Sequence, residues 1–165
     1  MLMQRIYMPI PFMNESVLYL NPPANFSPSI EVVACFIKCK NHILFLKRQV
    51  DKSEGNTWCV PGGKREKEET KLYAMQREIQ EETGLNLGID HIKYCHATYV
   101  RYPNFEFDYH LFRSDLTDRP MITLNQEEHQ EFRWMTLSET EQYPLTPGVD
   151  EALRLLFAQE PFILG

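Results

Sequence analysis

The sequence predicts an α/β fold, a mixed central sheet with helices on both faces. Three observations carry this: two pairs of β-rich runs, an amphipathic helix with marked ends in mid-chain, and an apolar helical period near the C-terminus. The chain has 165 residues, 43% of them hydrophobic, which fits one core of ordinary size and requires no second domain.

Residues 1–28 read as an extended N-terminal arm. The opening MLMQRIYMPIPFMNE is apolar in tint but broken by Pro9 and Pro11, lacks the cleavage-site pattern of a secretory leader, and is followed by the breaker Pro22-Pro23. Its apolar residues could pack along the domain, shape a pocket wall or cover a second copy of the chain, so a homodimer is one expectation. From Ile30 the run IEVVACFIKC is rich in β-branched residues, and Lys40-Asn41 turns it into HILFLKR, a hairpin. Asp51 to Asn56 is a polar loop, and Thr57-Trp58-Cys59-Val60 is a short strand leading into the turn Val60-Pro61-Gly62-Gly63. Beyond the central helix, HIKYCHATYVR and FEFDYHLFRSDL flank Tyr102-Pro103-Asn104 and predict a second hairpin. NQEEHQEFRWMTLS reads as a loop feeding the strand EFRWMTL, with a short helix starting near Ser138. GVDEALRLLFAQ places Val149, Ala152, Leu153 and Leu156 at helical spacing and should close the second face of the sheet.

The central helix carries the chemistry. Acidic residues favour a start at Glu68 to Thr70, and Gly84 supplies a left-handed stop. At about 100° per residue, Glu78, Glu81 and Glu82 fall within an arc of roughly 100°. Leu72, Met75 and Ile79 take the adjoining arc and can pack on a sheet while the acidic stripe faces a cleft. Carboxylates one turn apart repel, and Arg77 with the lysines upstream neutralises them only in part. A hard divalent cation would complete the balance, Mg2+ with Mn2+ able to substitute, because Mg2+ is commonly held by one or two carboxylates plus water and substrate phosphate. Such ions imply phosphate chemistry.

The stretch GKREKEETKLYAMQREIQEETGL, Gly63 to Leu85, resembles the signature box of the Nudix hydrolase family: glycine, five residues, glutamate, seven residues, then REUxEExGU with U aliphatic. Every fixed position matches, at Gly63, Glu69, Arg77, Glu78, Ile79, Glu81, Glu82, Gly84 and Leu85. Chance agreement in a chain of this length is on the order of one in ten million. The resemblance implies a MutT-like pyrophosphohydrolase with a Nudix-type α/β/α sandwich over residues 29–165, in which water attacks phosphorus in a nucleoside diphosphate derivative. It implies Glu81 and Glu82 as principal metal ligands, Glu78 serving a further ion or contacting metal-bound water, and the Gly62 carbonyl as another ligand. Glu128 stands six residues before Trp134, an offset at which many Nudix enzymes bring in a further ligand or the base; Glu127 and Glu131 compete for that place. Arg77 lies roughly 100° from the metal face and is expected to orient Glu69 or Glu78, while Glu69 accepts backbone hydrogen bonds in the loop.

The general base stays open among a box glutamate, Glu128 and activation by the metal with no dedicated side chain. The run EEHQEFRW is similar to a loop of the GDP-mannose mannosyl hydrolases, whose histidine serves as base for attack at sugar carbon, and His129 is the corresponding residue. Those relatives depart from the full box; this chain does not. For substrate contacts, Trp58 lies on the strand that borders the family's pocket, and Tyr102 resembles a base-stacking tyrosine of the dinucleoside polyphosphate group. Phe105, Phe107 and Tyr109 alternate on one strand face and could line a base pocket. A nucleoside triphosphate is the default substrate. The alternative from another class is a Nudix-fold binding module without turnover, against which the complete box argues.

A formal charge of -6 argues against long nucleic acid as a partner, since phosphate-backbone binders show a basic stripe. The expected partner is a small nucleotide. No apolar run approaches the roughly 20 residues of a membrane helix, and Cys35, Cys39, Cys59 and Cys95 form no CxxC pair. They read as free thiols of a cytoplasmic protein without disulfides or zinc.

Overall fold

β2 (Ile30–Cys39) is the strand around which the sheet is built, and its near-continuous apolar run follows from burial on both faces. The computed structural model describes residues 17–158. β2 runs parallel to β7 (Phe105–Leu116), in register from Ile30↔Phe107 to Cys39↔Leu116. Outward from β7 lie β6 (Lys93–Tyr102) and then β1 (Val17–Tyr19), both antiparallel to their neighbours. On the other side β3 (His42–Arg48) forms the expected hairpin with β2 through Lys40, whose φ is 55°. β3 also pairs with β4 (Trp58–Cys59) and with β8 (His129–Met135), while β5 (Gly62–Lys64) pairs with β2.

Alternation along β2 divides the interior into two cores. Val33, Cys35 and Ile37, with Leu44 and Leu46 of β3, meet Ala74, Met75 and Ile79 of α1 (Lys71–Thr83). Ala34 and Phe36, with Phe45 and Leu111, meet Val149, Ala152, Leu153 and Phe157 of α3 (Val149–Phe157). The expected helix-sheet-helix layering is present, with Phe157 taking the inward place and Leu156 only partly buried.

Helix boundaries follow the local chemistry. Thr70 caps α1 by accepting the Tyr73 amide at 3.2 Å, so Glu68 and Glu69 precede the helix instead of opening it. Gly84, at φ 72°, ends it with its N–H on the Gln80 carbonyl. α2 (Leu137–Thr140) starts at a capping box of Thr136 and Glu139. Most of the expected N-terminal arm lies outside the described residues. Within them, Val17–Tyr19 add an edge strand to β6, Leu18 is buried, and Phe26 packs edge-on against Tyr99 at 5.5 Å. Among the described residues, no helix is long and apolar enough to cross a membrane.

Gly84→Ala should lower stability by about 1–2 kcal/mol, the cost of a side chain in the left-handed region. Its added Cβ would also lie 2.8 Å from Thr123 Cβ. A lowered urea midpoint at unchanged slope is the expected reading, and an unchanged midpoint would refute it.

Candidate active site

Three segments distant in sequence meet at the Glu82 carboxylate, which is only 7% exposed. In the β2–β5 ladder, Cys35 N–H donates to the Pro61 carbonyl and Arg65 N–H to the Glu31 carbonyl, both at 2.9 Å. Antiparallel alternation therefore turns the intervening Gly62 peptide groups away from β2. The Gly62 N–H donates to Glu82 Oε2 at 2.8 Å, and His129 Nε2 lies 2.8 Å from Glu82 Oε1. The main chain is gripped too: Asn125 N–H donates to the Glu82 carbonyl at 3.0 Å and Thr123 N–H to that of Thr83 at 2.8 Å. A Cβ on Gly62 would run into the Val33 carbonyl, so the close approach of β5 to β2 requires glycine there.

Glu78 lies across Gly63, where any Cβ would overlap its carboxylate. Burial pushes the Glu78 pKa up, Arg77 opposes this, and the charges of Glu82 and Glu81 reinforce it. Arg77 reaches back over the angle that separates it from the acidic face. Its Nε and Nη2 grip Glu69 at 2.7 and 3.0 Å, and Nη1 meets Glu78 at 2.7 Å and Glu81 at 3.2 Å. Nη2 also donates to the Lys64 carbonyl at 3.1 Å. The Arg77 hydrogen bond holds the Glu69 carboxyl below the usual range, and Glu69 in turn accepts the Glu66 amide at 3.1 Å. The three helix carboxylates thus differ in access: Glu82 and Glu78 are mostly covered, whereas the Glu81 side chain is 57% exposed.

Glu128 is held differently, by an ion pair with Lys52 Nζ at 2.9 Å in which both partners are partly exposed. The loops carrying them are stitched together. Gln49 N–H donates to the Glu128 carbonyl at 2.9 Å, Gln49 Nε2 to Gln126 O at 2.7 Å, and Gln130 Nε2 to Arg48 O and Asn56 Oδ1, each at 2.7 Å. Glu131 instead pairs along β8 with Arg133 at 3.9 Å. Among the described residues no three acidic, His or Cys side chains stand ready as a metal cage. The donor set is nevertheless all carboxylate oxygen, with Glu69, Glu78, Glu81 and Glu82 opposed by Arg77, and that chemistry fits a hard divalent cation.

Trp58, on the strand expected to border the pocket, is a core residue: it is 2% exposed, belongs to the core on the α3 face, and is packed edge-on against Tyr143 at 5.6 Å, with the Arg133 guanidinium over it. Tyr102 is partly buried in the same layer, packs on Phe107, and directs its hydroxyl to the Pro147 carbonyl at 3.4 Å. Burial pushes its phenol up to about 12. Phe107 and Tyr109 are buried, while Phe105 is exposed. His129 is 1% exposed and spends Nε2 on Glu82. Lys52 and Asn125 were not singled out from sequence; an isolated lysine in a polar loop and an asparagine before an acidic run give no signal of their tertiary partners.

The NUDIX domain profile matches residues 28–156. This chain belongs to the Nudix hydrolase family. It is 32% identical over 137 residues to the CTP pyrophosphohydrolase of Escherichia coli (strain K12), spanning 80% of this chain and 96% of that protein. It is 37% identical over 89 residues to the m7GpppN-mRNA hydrolase NUDT17 of Danio rerio, spanning 52% of this chain but 30% of that one. The crystal structure of the MutT protein from Methanosarcina mazei Go1 shares its fold, with TM-score 0.67 at 22% identity over 81% of this chain and 95% of that one. This Nudix protein is accordingly a hydrolase acting on phosphorus-containing anhydrides, of a family that generally uses divalent metal ions.

Arg77→Met should destabilise the metal-free protein by about 1–3 kcal/mol, the cost of charged hydrogen bonds lost from a partly solvated cluster. Given the family's general use of divalent metal ions, an added divalent cation should raise the melting temperature of the variant more than that of the wild type. Equal shifts would contradict the charge-balancing role of Arg77.

Proposed function

We propose that this Nudix hydrolase is a Mg2+-dependent pyrophosphohydrolase that cleaves a nucleoside triphosphate by water attack at phosphorus, releasing nucleoside monophosphate and pyrophosphate. The observation that carries the reading is the placement of Glu82 on the Gly62 N–H and of Glu78 against Gly63, with Arg77 linking Glu78 to Glu81 as their counter-charge. Similarity to a protein named CTP pyrophosphohydrolase supports a nucleoside triphosphate as substrate. Three buried free thiols and a fourth half-buried suit a reducing compartment, the cytoplasm.

Glu82 and Glu81 would hold the ion, with the Gly62 carbonyl on the side of β5 turned away from β2 and Glu78 at the next position. When bound, the ion neutralises diphosphate oxygens and lowers the pKa of a water molecule. Glu82 contributes a buried carboxylate held at both oxygens and Glu81 an exposed one. Glu128, tethered through an exposed ion pair instead of burial, is the carboxylate free to take the proton from attacking water or to add a ligand. Arg77 positions Glu78 and Glu81. Attack at sugar carbon with His129 as base is disfavoured, because that imidazole is buried and hydrogen-bonded to Glu82.

The test is chromatographic product analysis across CTP, the other nucleoside triphosphates, nucleotide sugars and capped RNA, with Mg2+ and with a chelator. Expected are monophosphate and pyrophosphate from a triphosphate, abolished by chelation and reduced by orders of magnitude in Glu82→Gln. Free sugar released from a nucleotide sugar would instead place the attack at carbon. Nucleotide binding without turnover would make the domain a binding module.

A further inference from the structure

We propose that His129 is the positioning residue that fixes the Glu82 carboxylate for a divalent cation. The inference rests on the metal-dependent reading above and assigns a role to a residue that the Nudix box does not contain. Both partners are buried, and the ring lies 2.8 Å from Glu82 Oε1 through Nε2. A carboxylate acts as acceptor, so Nε2 carries the hydrogen. Nδ1 is buried without a hydrogen-bond partner. That unpartnered nitrogen is a cost the structure bears at this position, and an apolar residue of similar size would avoid it. What the imidazole contributes in return is the bond to Glu82.

The geometry of the bond is specific. Gly62 N–H occupies Oε2 and His129 occupies Oε1, so the carboxylate is pinned at both oxygens and cannot rotate about its terminal bond. Each carboxylate oxygen has two lone-pair directions, and one on each remains open. The result is a ligand with fixed orientation and free capacity, whereas Glu81 is exposed and Glu128 is held by a surface ion pair. The anchor also belongs to the loop that supplies Glu128. His129 N–H and Glu128 N–H both donate to the Asn125 carbonyl, at 3.0 and 3.2 Å, and Asn125 N–H donates to the Glu82 carbonyl. Consecutive residues of β8 and its approach therefore face opposite ways, His129 inward to Glu82 and Glu128 outward to Lys52.

Removing a partner that orients a metal ligand typically costs 10–100-fold in metal affinity. Mn2+ binding to the metal-free protein, followed by electron paramagnetic resonance without substrate, should therefore weaken about 10–100-fold in His129→Phe. His129→Gln, whose amide nitrogen can occupy the place of Nε2, should stay near the wild-type affinity. His129→Asn, the same amide one carbon shorter, should weaken as the Phe variant does. Thermal melts establish that each variant is folded, and if the Phe variant is not, the Gln and Asn pair decides. Folded Phe or Asn variants that bind Mn2+ as tightly as wild type would overturn the proposal. So would a folded Gln variant that binds Mn2+ as weakly as the Phe variant, since restoring the donor at the place of Nε2 would then restore nothing. A wild-type protein that binds no Mn2+ would remove the metal-dependent reading itself, and this inference with it.

Discussion

A carboxylate cannot be buried without partners, and Glu82 is the place where this chain meets that requirement. Its donors come from β5 and the start of β8, and its own carbonyl is tied to Asn125. Breaking one of these contacts leaves charge uncompensated in a site with little water, which costs far more than the bond itself contributes. The requirement therefore locks three registers at once: β5 on β2, α1 against the sheet, and the 123–129 segment across the end of α1. Gly62 is the enabling residue, because its peptide must face α1 while any Cβ there would run into the Val33 carbonyl.

Around that fixed point the remaining charges are arranged by decreasing restraint. Glu78 is covered, held by Arg77 and pressed on Gly63; Glu81 shares the same guanidinium but is open to solvent; Glu128 pairs with Lys52 at the surface. Arg77 is central because its planar fork can serve Glu69 with two donors and still reach the two helix carboxylates. A lysine, with one point charge, could not make that set of contacts. The arrangement balances charge without filling every oxygen, and on the proposed reading a divalent cation competes with Arg77 and Lys52 for carboxylates already gathered.

Much of the fold was legible because its signals are local. The β2–β3 hairpin announces itself through β-branched residues and a turn, and α1 through an apolar stripe closed by Gly84. The acidic face of α1 was also legible, since helical geometry alone groups its residues. Its differing exposures were not, because they depend on which carboxylate meets β5 and β8. The direction in which Trp58 faces was not legible for a related reason. A two-residue strand gives no alternation from which to choose a face, and only its pairing with β3 and its contact with Tyr143 turn the ring inward. The N-terminal segment hid β1, since three residues among prolines carry no strand signature and their partner β6 lies some eighty positions away.

His129 shows where sequence reasoning stops and tertiary structure decides. In sequence it stands in an acidic, polar run as a candidate base, and nothing local tells that its partner is Glu82. Its inward direction is set by β8 pairing with β3, where the register shifts between Lys47 and Arg48 and brings His129 opposite Arg48. An irregularity in a ladder re-aims the side chains beyond it by changing which residues face which side. Here it delivers an imidazole to a carboxylate forty-seven positions earlier in the chain. With Nε2 on Glu82 and the ring closed to solvent, the same residue is poorly placed to serve a substrate as base. The burial that keeps His129 from solvent is also what, on the proposed reading, lets it hold Glu82 in place.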